Sequence, residues 1–252
     1  MMGRGFHYLS VTLVAILLLA TLVSAKTTEN KLFGEANEAY SHGNYAEACK
    51  IYEQISQSAG YAPGVLYNLA NSYALSGHAG KAIVNYERAL RLTPDDSDIT
   101  GNLALIKKEH GLFPQEASRA ERFFGYLSLN QWTALALLAL IFFTMYLAAA
   151  MKLSFSRQLT ASMGAGCLVF LCLGITGTLF GAKHFNPLVV IAPEVKMLIS
   201  PFASSASIGT LAEGRLVYRQ KSHSNYSYVA DEMDRQGWVD SSRLEEVCKS
   251  VE

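Results

Sequence analysis

What most constrains this 252-residue chain is an interval. Gly43 and Gly77, Ala48 and Ala82, Tyr52 and Tyr86, Ile55 and Ala89, and Ala36 and Ala70 each lie 34 residues apart. Five matches at one offset describe a repeated unit. That length suits a helix–turn–helix pair, which buries its apolar face only by stacking on a neighbour. The first unit covers about Glu29–Ala62, with a first helix near Lys31–Ser41 and a second near Tyr45–Ser58. Asn44 stands where a side chain caps the second helix, and Gly43 suits the tight turn before it. The second unit opens at Pro63, a favourable first-turn residue, and closes at Pro94, which cannot continue a helix. Within it Leu66, Leu69, Ala70 and Tyr73 form one helical stripe. A half unit follows, DDSDITGNLALIKKEHG, in which Leu103 and Ala104 repeat Leu69 and Ala70, and Phe113-Pro114 stops its helix. Two and a half units are fewer than the roughly three that such arrays need. The last helix is therefore expected to act as a cap, or the array to lean on another surface such as a partner or the membrane.

The order small–aromatic–Gly–Ala–aromatic–Ala–Pro resembles the tetratricopeptide repeat family over about two units, residues 29–112 in all. The resemblance implies an all-α solenoid that binds peptides in a concave groove lined by the first helix of each unit. The groove candidates are Phe33, Asn37, Tyr40, Tyr67, Asn68, Asn71 and Lys108, weighed against a plain packing or solvated role for each. The family's carboxylate-clamp subtype holds a terminal carboxylate with cations as well as asparagines. Asn37 and Asn68 match it, but Phe33, Asp98 and Asn102 stand where basic groups are needed, so that activity is not expected.

Only 17% of residues are charged, 50% are hydrophobic, and the mean hydropathy is +0.17, values too apolar for an ordinary soluble chain. Three segments account for this. Residues 1–25 read as an export signal, with an apolar core Val11–Val23 and small residues before Ala25; an uncleaved anchor is the alternative. After a linker at 113–131, residues 132–151 and 159–182 carry no charge and are long enough to cross about 30 Å of hydrocarbon. Tyr126 and Trp132 lie near the entering interface, and Gly174, Gly177, Thr178 and Gly181 give the second segment a face for close helix contact. The intervening KLSFSRQ carries Lys152 and Arg157 and no acid. An exported N-terminal domain then places this loop inside and both flanking domains on the periplasmic or exterior side of a bacterial inner membrane.

The remainder, 193–248, reads as short strands: an alternating EVKMLIS, a Ser-rich turn, Gly209, and two strands about an acidic turn before a single-turn helix. Leu211–Glu213-Gly214 and Gly237-Trp238-Val239 resemble a bacterial SH3-type barrel. The aromatic cluster that eukaryotic SH3 domains use for proline-rich peptides is absent, so Trp238 is assigned to core packing. The fold class is thus a multi-domain membrane protein: an all-α solenoid, a two-helix transmembrane hairpin and a small all-β SH3-like barrel.

Chemistry is not indicated. Lys+Arg and Asp+Glu are both 21, leaving no basic excess for nucleic acid, and the four cysteines form no C-x-x-C. No histidine pair has metal-ligand spacing, and there is no nucleophile elbow, P-loop or dinucleotide turn. No enzyme, cofactor or metal is expected. The order of signal, repeats, hairpin and barrel resembles the repeat component of Bacteroides aerotolerance (Bat) operons. That resemblance implies a membrane-anchored scaffold or assembly factor beside von Willebrand A-domain proteins and a MoxR-type ATPase. The alternative is a peptidoglycan-binding adaptor that recruits an enzyme.

Overall fold

The computed structural model describes residues 29–113, 119–152, 156–183 and 186–248. The expected signal at 1–25, part of the linker and the loop residues 153–155 lie outside them. The repeats form α1 (residues 29–41), α2 (Tyr45–Ala59), α3 (Pro63–Leu75), α4 (Ala79–Leu92) and α5 (Ser97–Glu109). Gly43, Gly77 and Gly111 recur at the 34-residue interval with φ of 77°, 79° and 66°, a region that disfavours a side chain. At each, two backbone bonds close the helix end. Gly43 N–H donates to Tyr40 O (3.0 Å) and Asn44 N–H to Ala39 O (2.9 Å), and the same pair recurs at Gly77–His78 and Gly111–Leu112. This geometry corrects one expectation. Asn44 does not cap α2 with its side chain, because its backbone is already committed to ending α1, at φ −80° and ψ 57°. Asp96 does cap α5, accepting from Asp98 N–H (3.0 Å) and Ile99 N–H (3.1 Å). The paired alanines Ala36, Ala48, Ala70 and Ala82 are wholly buried where helices approach, and Tyr52, Leu66, Ile83 and Tyr86 fill the core between them. Each buried Leu or Ile contributes about 1.5–3 kcal/mol.

α6 (Arg119–Phe124) leads into a hairpin of two long apolar helices, α7 (Leu129–Lys152) and α8 (Arg157–Lys183). Small residues on α8 set how closely the two approach. A Cβ on Gly174 would lie 2.7 Å from Ala136 backbone, and one on Gly177 would lie 2.2 Å from the Trp132 ring. Trp132 was expected near the membrane interface by its place in the chain. Its ring is only 5% exposed, seated over Gly177 with its indole N–H on Phe124 O (2.9 Å). Tyr126, by contrast, is 83% exposed.

The C-terminal part is a seven-stranded antiparallel curled sheet in the order β3-β2-β6-β5-β4-β1-β7. Its strands are β1 (Leu188–Val190), β2 (Val195–Leu198), β3 (Ser207–Leu211), β4 (Leu216–His223), β5 (Tyr226–Asp231), β6 (Gln236–Asp240) and β7 (Leu244–Glu246). It begins upstream of residue 193, the start expected from sequence, because β1 belongs to it between β4 and β7. Leu188 and Val190 enter the sheet core while Val189 enters the helical core, so β1 is buried on both faces and lacks alternation. The acidic turn is organised by buried Asp231, which accepts from the N–H groups of Met233 and Arg235 and pairs with the Arg235 guanidinium at 2.7 Å. Trp238 packs on Tyr228 with centroids 5.2 Å apart.

The short array leans on this sheet. Val189 and Val247 are buried within the repeat core, with Ile191 and Leu216 packed at its margin. Gly80 on α4 has no Cβ, and one added there would lie 2.5 Å from Val190 O and 2.8 Å from Ile191 Cα. His78 supplies no side-chain cap to α4; instead Glu213 accepts the Gly80 N–H (2.8 Å), placing an anion at the helix N-terminus. Gly214, at φ 84°, lies against Ile83 and Leu112. Arg88, 6% exposed, donates from Nε to Val247 O (3.1 Å) and from Nη2 to Glu246 O (2.6 Å), and pairs through Nη1 with Glu245 (2.9 Å). Repeats and sheet thus keep a core each but are packed together through β1 and Val247, rather than hanging as separate modules.

Candidate functional site

The sheet covers α4, a second helix of a repeat unit, and leaves the first helices α1, α3 and α5 to line the opposite surface. Two hydrogen-bonded triplets organise that surface. In the first, Asn37 Oδ1 accepts from Tyr52 Oη (2.5 Å) and from Asn68 Nδ2 (3.2 Å). In the second, Asn71 Oδ1 accepts from Tyr86 Oη (2.5 Å) and from Asn102 Nδ2 (3.2 Å). Corresponding members, 37 and 71, 52 and 86, 68 and 102, obey the 34-residue interval. The tyrosines come from α2 and α4, where burial pushes the hydroxyl pKa of both up and keeps them neutral donors.

The remaining candidates surround these triplets. Phe33 is half-buried and meets Tyr52 edge-on at 5.9 Å. Tyr40 meets Tyr45 at 5.4 Å, and burial, then its neighbours Tyr45 and Tyr67, raises its pKa. Tyr67 packs 6.2 Å from Tyr86, and its hydroxyl accepts from Asn102 Nδ2 (2.9 Å). Lys108 is exposed on the last turn of α5. The structure therefore joins Asn37 with Asn68, and Tyr67 with Asn71 through Asn102. Sequence reasoning missed Tyr52, Tyr86 and Asn102 as parts of this surface. Their signal was the interval itself, since Asn recurs at it on α1, α3 and α5 and Tyr on α2 and α4.

Among the described residues no group of three or more His, Cys, Asp or Glu converges as a metal site. Cys49 is buried, and burial pushes its thiol up to about 11, which leaves it protonated at neutral pH. A cavity of about 70 Å³ beneath Arg88, lined by Glu53, Ser56, Tyr73, Lys81 and Glu245, belongs to the junction with the sheet.

The fold and this surface define a helical-repeat region of the kind that binds proteins, joined to two apolar helices and a curled antiparallel sheet. The tetratricopeptide repeat model matches residues 63–96, the unit formed by α3 and α4. The chain is also similar to the photosystem I assembly protein Ycf3 of Synechococcus sp. (strain CC9311), with 28% identity over 131 residues, 49% of this chain and 76% of that protein. Ycf3 of Synechococcus sp. (strain CC9605) is 26% identical over 147 residues, 49% of this chain and 85% of its own length.

Proposed function

We propose that this chain is a membrane-anchored, non-enzymatic scaffold or assembly factor that recognises partner proteins in the groove of α1, α3 and α5. The observation that carries this reading is the division of labour around α4. Its outer side is consumed by the sheet through Gly80, Arg88 and Val189, while the asparagine–tyrosine surface on the first helices stays open. Ycf3 is by its name an assembly protein, and its similarity to half of this chain supports an assembly role here. The curled sheet is read as the SH3-type module, acting as a structural brace for the array.

The hairpin is read as two transmembrane spans, Leu129–Met151 and Ala161–Ala182, both long, apolar and little buried by the protein itself. Docking requires repeats and sheet to share one side of the membrane, which two spans accomplish. The signal expected at 1–25 supports the periplasm or exterior as that side. Protease added to spheroplasts is expected to cleave both domains; protection of the repeats contradicts this orientation. Partners of the aerotolerance type, von Willebrand A-domain proteins and a MoxR-type ATPase, rest on the resemblance in domain order. The test of the groove is Tyr67→Ala with Asn71→Ala, expected to abolish partner co-purification while membrane insertion persists. Retained partners refute the groove as the recognition surface.

A further inference from the structure

We infer that the apolar segment at residues 5–25 stays on the mature chain and seats, as a third span, in the groove between α7 and α8. This rests on the reading of α7 and α8 as membrane spans. The groove has a volume of about 540 Å³ and an apolar lining. Ala139 and Gly166 keep part of that lining low, between the bulkier Leu135, Phe142, Met163 and Phe170. The hairpin spends its other glycines on itself. A Cβ on Gly174 or Gly177 would strike α7, 2.7 Å from Ala136 backbone or 2.2 Å from the Trp132 ring. One on Gly166 would meet nothing within 4 Å. In lipid, apolar surface alone does not draw helices together, and a small residue lets another backbone come close. Gly166 leaves room for a backbone that α7 does not supply.

The chain carries a third apolar run of the right length. Residues 5–25 contain no Lys, Arg, Asp or Glu, and Arg4 and Lys26 bound them. At 1.5 Å per residue such a run crosses about 30 Å as a helix, the hydrocarbon thickness. Residues 26–28 alone separate it from α1, and residues 184–187 alone separate α8 from β1. Extended, these links span at most about 20 Å each. Repeats and sheet are packed together through β1 and Val247, so both links hang from one body. That tether gives the segment an effective concentration at the groove that a second copy or a separate partner lacks. Ala20, Thr21, Ser24 and Ala25, small residues that suit a cleavage site, suit close helix packing equally.

The test uses Cys167, which lines the groove. Cys49→Ala, Cys172→Ser and Cys248→Ser leave it as the native thiol in the full chain. A second cysteine is moved through positions 11–18, and native membranes are oxidised with copper–phenanthroline. Mass spectrometry of the digested chain reads its N-terminus and any peptide linked to Cys167. The expected result is a mature chain that keeps residues 5–25, with linkage confined to positions three or four apart, the spacing of one helix face. Gly166→Leu fills the groove without striking α7 and should cut that linkage about fivefold or more, with the chain still in the membrane. A mature chain beginning at Lys26, or a retained segment that never links to Cys167, overturns the inference and leaves the two spans standing. Linkage found only between differently tagged copies makes a second copy the occupant and also overturns it. A cysteine at 154 labelled from outside by an impermeant maleimide refutes the two spans, and the inference with them.

Discussion

Gly80→Ala separates a docked sheet from a loosely tethered one by the sign of its effect. In a free helix the substitution is favourable by about 0.8–1 kcal/mol, because alanine loses less backbone entropy than glycine. Here α4 abuts β1 so closely that the new Cβ falls 2.5 Å from Val190 O and 2.8 Å from Ile191 Cα. Both are backbone atoms, so no rotamer change relieves the contact and the strand must move away from the helix. Overpacking of this kind costs about 1–3 kcal/mol. Displacement also strips the Glu213 carboxylate from the Gly80 N–H, a cap worth about 1 kcal/mol. With the helix gain subtracted, the net loss is about 1–3 kcal/mol, a fall in melting temperature of about 2–4 °C for each of them. The assay is a thermal melt of the full chain in detergent, with amide hydrogen exchange read at residues 188–190 and 244–246. A melting temperature that rises, with exchange in β1 and β7 unchanged, refutes the docking.

Three further outcomes follow from the same geometry. Arg88→Ala leaves the Glu245 carboxylate and two main-chain carbonyls without their buried partner, and is expected to cost about 3–5 kcal/mol in a denaturant titration. Glu232 lies between Lys107 and Arg215 near Asp231 and Glu87, and burial raises its carboxyl above the usual 4.5. A raised folded-state pKa gives stability that is present below 4.5 and lost as pH climbs through the raised value, so Glu232→Gln should flatten the melting profile above pH 4.5. With its side chain 33% exposed, the effect is small. Gly177→Leu pushes into the Trp132 ring and should part α7 from α8, measured as a lower melting temperature of the full chain in detergent, the overpacking costing about 1–3 kcal/mol.

The repeats were legible because their physics is periodic. A buried alanine, a left-handed glycine and a core tyrosine each return after 34 residues, and a sequence displays that directly. The two apolar helices were legible for a simpler reason, since charge-free stretches of that length have few other uses. The junction was not legible. Gly80 reads as an ordinary weak point in a helix, and Arg88 as a solvated cation, until β1 and the chain after β7 arrive from more than a hundred residues away. β1 itself escaped because burial on both faces erased the alternation by which β2 was recognised. Asn44 misled because a cap residue and the last residue of a helix-ending turn look alike in sequence. In the groove Asn37, Asn68 and Asn71 were named from sequence, but how their amides are held came only with the buried tyrosines beside them.

The central claim is that recognition belongs to the groove and bracing to the sheet. The most direct measurement places a photoreactive residue at position 67, in the groove, or at 223, on the outer sheet near Trp238. Each variant is then irradiated in native membranes. The account predicts discrete partner adducts from position 67 and none from 223. Adducts from 223 alone would make the sheet the recognition module and the repeats its support, contradicting the account.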